Sequence, residues 1–345
     1  MHKESRTPAW KWATLGALAI AVRLVGHWAN PIGAEAELRA YDRFRRVPTE
    51  VVTFGDSVME HVDPRDADRR TLSDQILSGF TGCVTANLAH SAYHPEIFEA
   101  VGRFVTRLPQ TRPRLIVVPI NLRSFSNTWI WHPMYRVEEL QRLLLHDSLA
   151  YTLAHRPLSA FRWYDGVAGT QDDYDRAPIY DGDRFIGPQG PLAQIVFHGA
   201  GGASRDERLR TAFVMRYSAR LQADHARVVA MRNLAQVLRE RGVPALYYLT
   251  PVDWQEAERL AGPDVVGHIT SNARLLMSVL GDAGATVNDW TRVLPHEDFS
   301  WEELPNEHLK ETGRRAVAER VVAAARGLLS AQNACGRPRA AVSGD

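Results

Sequence analysis

The chain has 345 residues and a formal net charge of +1, and 45% of its residues are hydrophobic and 23% are charged. This length is sufficient for one large α/β domain with insertions, or for two smaller domains. The balanced charge argues against a nucleic-acid-binding protein, and the hydrophobic content excludes a chain that is disordered throughout.

Residues 1–35 have the features of a membrane anchor or a signal segment. Lys3, Arg6 and Lys11 precede the apolar run Trp12–Val22. Basic residues on that side of an apolar run predict that the N-terminus stays in the cytoplasm and that the rest is exported. Three interpretations remain open: an uncleaved anchor, a signal cleaved near Ala34-Glu35-Ala36, or a cytosolic amphipathic helix. The first two place the folded domain in the periplasm or outside the cell.

Five short apolar or β-branched segments, each bounded by turn residues, predict buried parallel strands. Helical patterns alternate with them, which indicates a parallel sheet covered by helices on both faces. The predicted strands are Val51–Phe54, Cys83–Leu88, Leu115–Ile120, Ala245–Leu249 and Thr286–Asn288, and the predicted helices cover about 93–108, 204–241, 265–283 and 309–331.

The long interval between the third and fourth strands contains a large insertion, predicted at about 124–203. Its sequence is rich in Trp, Tyr, Pro and Gly, and we expect it beside the carboxyl edge of the sheet, where open α/β folds bind ligands. The main domain is predicted over 48–331, followed by a disordered tail, 332–345. The two cysteines, Cys83 and Cys335, suggest neither a disulfide framework nor a cysteine metal site.

The stretch VVTFGDSVME, residues 51–60, places Ser57 on a tight turn after the first strand. A serine there projects its hydroxyl above the carboxyl edge of the sheet, where a nucleophile is expected. The alternative is that Asp56 or Ser57 only caps the following helix. A serine nucleophile also needs a base, and NEHLKETGRR, residues 306–315, places His308 just before the C-terminal helix.

Together these segments resemble the SGNH or GDSL hydrolase superfamily, in which Gly-Asp-Ser follows the first strand and a C-terminal histidine is followed by Leu and then Gly. The resemblance implies a three-layer α/β fold with a flavodoxin-like parallel sheet. It also implies that Ser57 is the nucleophile and His308 the base.

The resemblance further assigns an oxyanion hole to the turns after the second and third strands. Ala89, in NLAHSAYHP at 87–95, stands where the family has a glycine that contributes its backbone N–H, and Asn121, in PINL at 119–122, matches the family's asparagine. The family's acid lies three positions before the histidine, where this chain has Pro305. We predict Glu303 as the replacement acid, with a Ser-His dyad oriented by a backbone carbonyl as the alternative.

These residues predict a serine-dependent acyl-ester hydrolase that acts on an envelope or extracellular carbohydrate or lipid ester. No metal or organic cofactor is required by this chemistry, and the expected partner is an acylated small molecule or polysaccharide. Two alternatives remain open. One is O-acyl transfer in polysaccharide modification, as in membrane-associated relatives that acetylate polysaccharides, and the other is a non-catalytic carbohydrate-binding or assembly protein.

Overall fold

The computed structural model describes residues 9–29, 41, 44, 46–108, 113–132, 171–300, 307–329 and 335. The predicted acid Glu303 and Pro305 lie outside these residues. So do most of the predicted N-terminal cleavage region, the middle of the insertion and nearly all of the predicted disordered tail.

Five parallel strands form the central sheet. They are β1 (Val51–Thr53), β2 (Thr85–Asn87), β3 (Leu115–Ile120), β6 (Ala245–Leu249) and β7 (Val287–Asp289), in the spatial order β2-β1-β3-β6-β7. In the register, Val52 of β1 is opposite Ala86 on one side and Ile116 on the other. With the intervening hairpin left out, this is the doubly wound order in which ligands bind at the carboxyl edge, beside β1. The predicted α/β fold class is confirmed.

Successive side chains of the buried strands pack into two separate cores. Ile116 and Val118 of β3 lie in one core, while Leu115 and Val117 lie in the other. Side chains alternate between the faces of a strand, so a run that is apolar at every position requires a cover on both faces. One face is covered by α4 (Pro95–Arg107), α9 (Ala226–Glu240) and α11 (Pro263–Asp282), and the other by α3 (Leu72–Ser78) and α12 (Glu311–Leu328).

The single helix predicted over 204–241 is wrong, because two helices occupy that range. α8 (Arg205–Tyr217) ends before a short extended segment, and α9 begins only at Ala226. In the break, Ala219 forms a β-bridge with Gly182, and the backbone N–H of Leu221 donates to Asn272 Oδ1 at 3.0 Å. Tertiary hydrogen bonds replace the helical ones here and override local helix propensity.

The remaining helices are shorter or lie at the ends of the chain. They are α1 (Ala9–Ala29), α2 (Ser57–Glu60), α5 (Asn127–Trp131), α6 (Gln171–Arg176), α7 (Gln189–His198) and α10 (Trp254–Ala261). The described part of the insertion also contains an antiparallel hairpin of β4 (Pro178–Asp181) and β5 (Arg184–Pro188).

The N-terminal helix α1 exposes large apolar side chains, including Trp10, Leu18 and Leu24, each at least 60% exposed. Within the described residues, no helix is both long enough and apolar enough to cross a membrane.

The two cysteines form a disulfide that the sequence did not suggest. Cys83, just before β2, bonds to Cys335 near the C-terminus, with 4.9 Å between their Cα atoms. Their separation of 252 residues hides the pairing in the sequence, since only the fold brings Cys335 beside Cys83. The sequence offered no basis for proposing a disulfide, and this bond corrects that interpretation.

Candidate active site

The turn after β1 uses Asp56, not Ser57, as the helix cap. Asp56 Oδ1 accepts a hydrogen bond from the backbone N–H of Val58 at 2.9 Å, and this bond satisfies the start of α2. Gly55 has a φ of +156°, and a Cβ atom at this position would overlap the side chain of Met59. The turn therefore requires glycine and leaves the Ser57 hydroxyl without a capping task.

His308 lies directly beside Ser57. The Oγ atom of Ser57 is 3.0 Å from Nε2 of His308, although the residues are 251 positions apart in the chain. This distance is within the range for hydrogen bonding between a serine and a base that accepts its proton. The structure thus brings together the two residues that the sequence predicts as nucleophile and base.

Backbone pairing holds the segment that carries His308. The carbonyl of His308 accepts a hydrogen bond from the N–H of Ser300 at 2.7 Å, and Leu309 forms an antiparallel bridge with Phe299. The hydroxyl of Ser300 in turn donates to Asp63 Oδ2 at 2.7 Å. Asp63 follows α2, so this contact joins the chain segments that carry the serine and the histidine.

Arg314 makes a second connection between these segments. Its side chain is fully buried, and its guanidinium donates to Asp66 Oδ2 at 2.6 Å and to the carbonyls of Leu309 at 2.9 Å and Asp68 at 2.8 Å. It also donates to the carbonyl of Arg70 at 3.2 Å. The start of α12 is thereby fixed to the loop that follows the serine turn.

The surroundings of His308 favour the neutral imidazole. Burial, followed by the positive charges of Arg123, His61 and Arg216, lowers the pKa of His308 to about 2. The His61 ring stacks on the His308 ring with 4.1 Å between their centroids and 13° between their planes. A neutral imidazole is the form that can accept a proton from serine, so His308 is available for that role at ordinary pH.

The two residues predicted for the oxyanion hole lie near the turn but make hydrogen bonds within the protein. Asn121 Nδ2 donates to Asp56 Oδ2 at 3.0 Å and to Glu307 Oε2 at 3.3 Å. The backbone N–H of Ala89 donates to Asn87 Oδ1 at 2.9 Å. Their roles as oxyanion donors therefore remain predictions, as does that of Glu303, which lies outside the described residues.

Sequence reasoning missed the buried carboxylate of Glu307. Its side chain is completely buried, accepts a hydrogen bond from the Tyr217 hydroxyl at 2.6 Å, and lies 3.1 Å from Nε of Arg123. One signal was available: residues two apart in an extended segment share a face, and Leu309 is the kind of residue that packs inward. That alternation places Glu307 inside, beside Leu309.

Among the described residues, one group of three residues of the kinds that bind metals lies close together. Glu50, Cys83 and Cys335 place their ligand atoms within 4.8 Å of one another. Both sulfurs belong to the disulfide, so neither is available as the thiolate that binds a metal.

Comparison with known proteins gives little further identification. No protein-family model and no curated protein matches the chain. Among solved structures, the native and inhibitor-bound forms of an M. smegmatis aryl esterase are similar at a TM-score of 0.34 and 10% sequence identity. Each match covers 81% of this chain and 100% of the esterase chain. At this TM-score, the similarity carries no argument about the reaction.

Proposed function

We propose that this protein is a serine-dependent acyl-ester hydrolase in which Ser57 is the nucleophile and His308 the general base. The observation that carries the proposal is the 3.0 Å distance between Ser57 Oγ and His308 Nε2 at the carboxyl edge of a doubly wound sheet. The turn supports it further. Asp56 already caps the helix and Gly55 is required by the backbone, so Ser57 is not needed as a helix cap.

The reaction proceeds by acyl transfer to the serine. With the imidazole proton on Nδ1, His308 Nε2 accepts the proton of Ser57 as Oγ attacks the ester carbonyl carbon. The resulting imidazolium returns the proton to the departing alkoxide, which leaves as the alcohol. Water, deprotonated by the same imidazole, then attacks the acyl-enzyme and releases the carboxylic acid and Ser57.

The substrate we propose is an ester on a carbohydrate or lipid outside the cytoplasm. The disulfide between Cys83 and Cys335 supports this location, because structural disulfides persist mainly in oxidising compartments. A C-terminal alkaline phosphatase fusion, which is active only after export, tests the location. An inactive fusion at normal expression would contradict it.

Covalent labelling tests the assignment of Ser57. We expect a fluorophosphonate probe to modify Ser57 in the native protein, and we expect Ser57→Ala to lower hydrolysis of p-nitrophenyl acetate on the order of 10³-fold or more. Ser91→Ala is the matched control, since Ser91 is an exposed serine in the turn after β2. Equal turnover by wild type and Ser57→Ala would refute the proposal.

Product analysis separates hydrolysis from transfer, which share the same acyl-enzyme. With an acetyl ester and a high concentration of an oligosaccharide, hydrolysis releases acetate and leaves the sugar unchanged. Mass spectrometry that finds the acetyl group on the sugar, with little free acetate, would replace the hydrolase by an acyltransferase with the same Ser57 and His308.

A further inference from the structure

Two buried carboxylates stand next to the reacting pair in the sequence. Asp56 precedes Ser57 and is 3% exposed, and Glu307 precedes His308 and is 0% exposed. Neither carboxylate has a step in the acyl-transfer mechanism. Burial of a charged group costs several kcal/mol unless it is paired and hydrogen-bonded, so the two carboxylates require a structural explanation.

Asn121 joins the two carboxylates directly. Its Oδ1 accepts a hydrogen bond from the backbone N–H of Arg123 at 3.0 Å, which fixes the orientation of the amide. The opposite end, Nδ2, then donates to Asp56 Oδ2 at 3.0 Å and to Glu307 Oε2 at 3.3 Å. An amide nitrogen carries two hydrogens, and each is directed at one carboxylate.

The guanidinium of Arg123 lies near both carboxylates. Nε of Arg123 lies 3.1 Å from Glu307 Oε2, and Nη2 lies 3.9 Å from Asp56 Oδ2. The guanidinium is held over the ring of Trp129, 4.4 Å from its centroid. Burial raises the pKa of Asp56 above its usual value and the charge of Glu307 raises it further, while Arg123 lowers it.

We propose that Asn121, Arg123 and Glu307 form a positioning cluster that sets the distance between Ser57 Oγ and His308 Nε2. The inference rests on the proposed hydrolase function. Each carboxylate is one residue from a reacting group, so a shift of either one moves the backbone that carries the serine or the histidine. Displacements of about 1 Å can cost about 100-fold in rate. In this arrangement Asn121 acts through the carboxylates and is not an oxyanion donor.

The first test is Glu307→Gln, which keeps the side-chain size and removes the charge. We expect kcat for p-nitrophenyl acetate to fall about 10- to 100-fold, with KM within about twofold of wild type. Glu297→Gln is the control, because Glu297 is an exposed carboxylate that, like Glu307, precedes His308 in the chain. Wild-type kcat in Glu307→Gln would overturn the inference while leaving the Ser57 assignment intact.

A milder variant covers the case in which Glu307→Gln does not fold. Tyr217→Phe removes only the hydroxyl that donates to Glu307 Oε1 at 2.6 Å. We expect a fall in kcat of several-fold with an unchanged KM. Unaltered kinetics in a folded Tyr217→Phe, together with an unfolded Glu307→Gln, would mean that Glu307 contributes stability alone and would also overturn the inference.

A double-mutant cycle distinguishes positioning from oxyanion stabilisation by Asn121. If Asn121 acts through Glu307, the effects of Asn121→Ala and Glu307→Gln on kcat should be strongly non-additive, so that the double variant is close to the worse single variant. An independent oxyanion donor would give effects that multiply, and that result would overturn the assignment of Asn121.

Histidine side-chain NMR tests the cluster without requiring activity. In the wild-type background, Ser57→Ala should shift the His308 Nε2 resonance because it removes the hydrogen bond at 3.0 Å. In the Glu307→Gln background the same change should cause little further shift, since the contact is already lost. An equal shift in both backgrounds would refute the inference, even if fluorophosphonate labelling had shown that the protein is not a serine hydrolase.

Discussion

Replacing Arg314 by leucine should be among the most destabilising single changes in this chain. The side chain is fully buried, and its guanidinium donates to one carboxylate oxygen, on Asp66, and to three backbone carbonyls. Leucine keeps much of the apolar volume but donates no hydrogen bond. Asp66 then loses its guanidinium in a site where it is only 10% exposed.

The magnitude follows from the contacts that are lost. Removing one partner of a buried ion pair costs about 3–5 kcal/mol. Each carbonyl left without its donor adds to this, but water can reach the edge of the site at Arg70, which is 58% exposed, so the terms do not sum fully. We expect a loss of about 4 kcal/mol in the free energy of unfolding, which lowers the folding equilibrium constant on the order of 10³-fold.

The assay is urea denaturation followed by tryptophan fluorescence, with the slope of the transition compared between variants. Arg315→Leu is the matched control: Arg315 is the next residue, 58% exposed, and pairs with Glu311 one helical turn earlier. An exposed pair of this kind contributes about 0.3–0.5 kcal/mol. A loss below about 1.5 kcal/mol for Arg314→Leu, at an unchanged slope, would refute the role of Arg314 in joining the segments that carry Ser57 and His308.

Three further predictions concern the turn and the base. Gly55→Ala should destabilise the fold by about 1–3 kcal/mol and slow fluorophosphonate labelling, because a Cβ atom meets Met59; an unchanged labelling rate would show that the turn adapts. Arg216→Gln should move the acidic limb of the kcat/KM profile to higher pH, since it removes a positive charge that lowers the pKa of His308. The control Arg220→Gln should leave the limb in place. The same limb in Arg216→Gln and wild type would contradict the assignment of that limb to His308. Because the pKa of His308 is about 2 when folded and 6.5 when unfolded, its contribution to stability is present above pH 6.5 and declines below it, by about 1.4 kcal/mol at pH 5.5. Denaturation at pH 7.5 and 5.5 should show this decline and a smaller one in His308→Gln, and identical declines would exclude His308 as its source.

The sheet could be predicted because its signal is local. The strands β1, β3 and β6 are apolar at nearly every position, since helices cover both faces, and glycine and acidic residues mark the turn into α2. The break between α8 and α9 could not be predicted in the same way. It depends on a bridge from Ala219 to Gly182, whose partner lies in another part of the chain.

The proximity of Ser57 and His308 could be predicted, but the contacts that support them could not. Ser57 stands in a turn whose glycine is required by the backbone, so the local sequence Gly-Asp-Ser indicates the turn. Glu307 depends on partners 90 and 186 residues away, Tyr217 and Asn121, and no short motif records such a pairing. Asn121 could therefore be placed only by family resemblance, and Glu307 was not predicted.

The position of Glu307 explains how a base with a strongly lowered pKa can lie beside a buried arginine without losing its place. Arg123 disfavours a proton on His308, and Oε2 of Glu307 lies 3.1 Å from Nε of the same guanidinium. The carboxylate thus compensates the charge of Arg123, and Glu307 directly precedes the residue that carries the imidazole. Removing the charge of Glu307 should therefore both displace His308 and leave Arg123 unbalanced, and the two effects act in the same direction, against formation of the imidazolium.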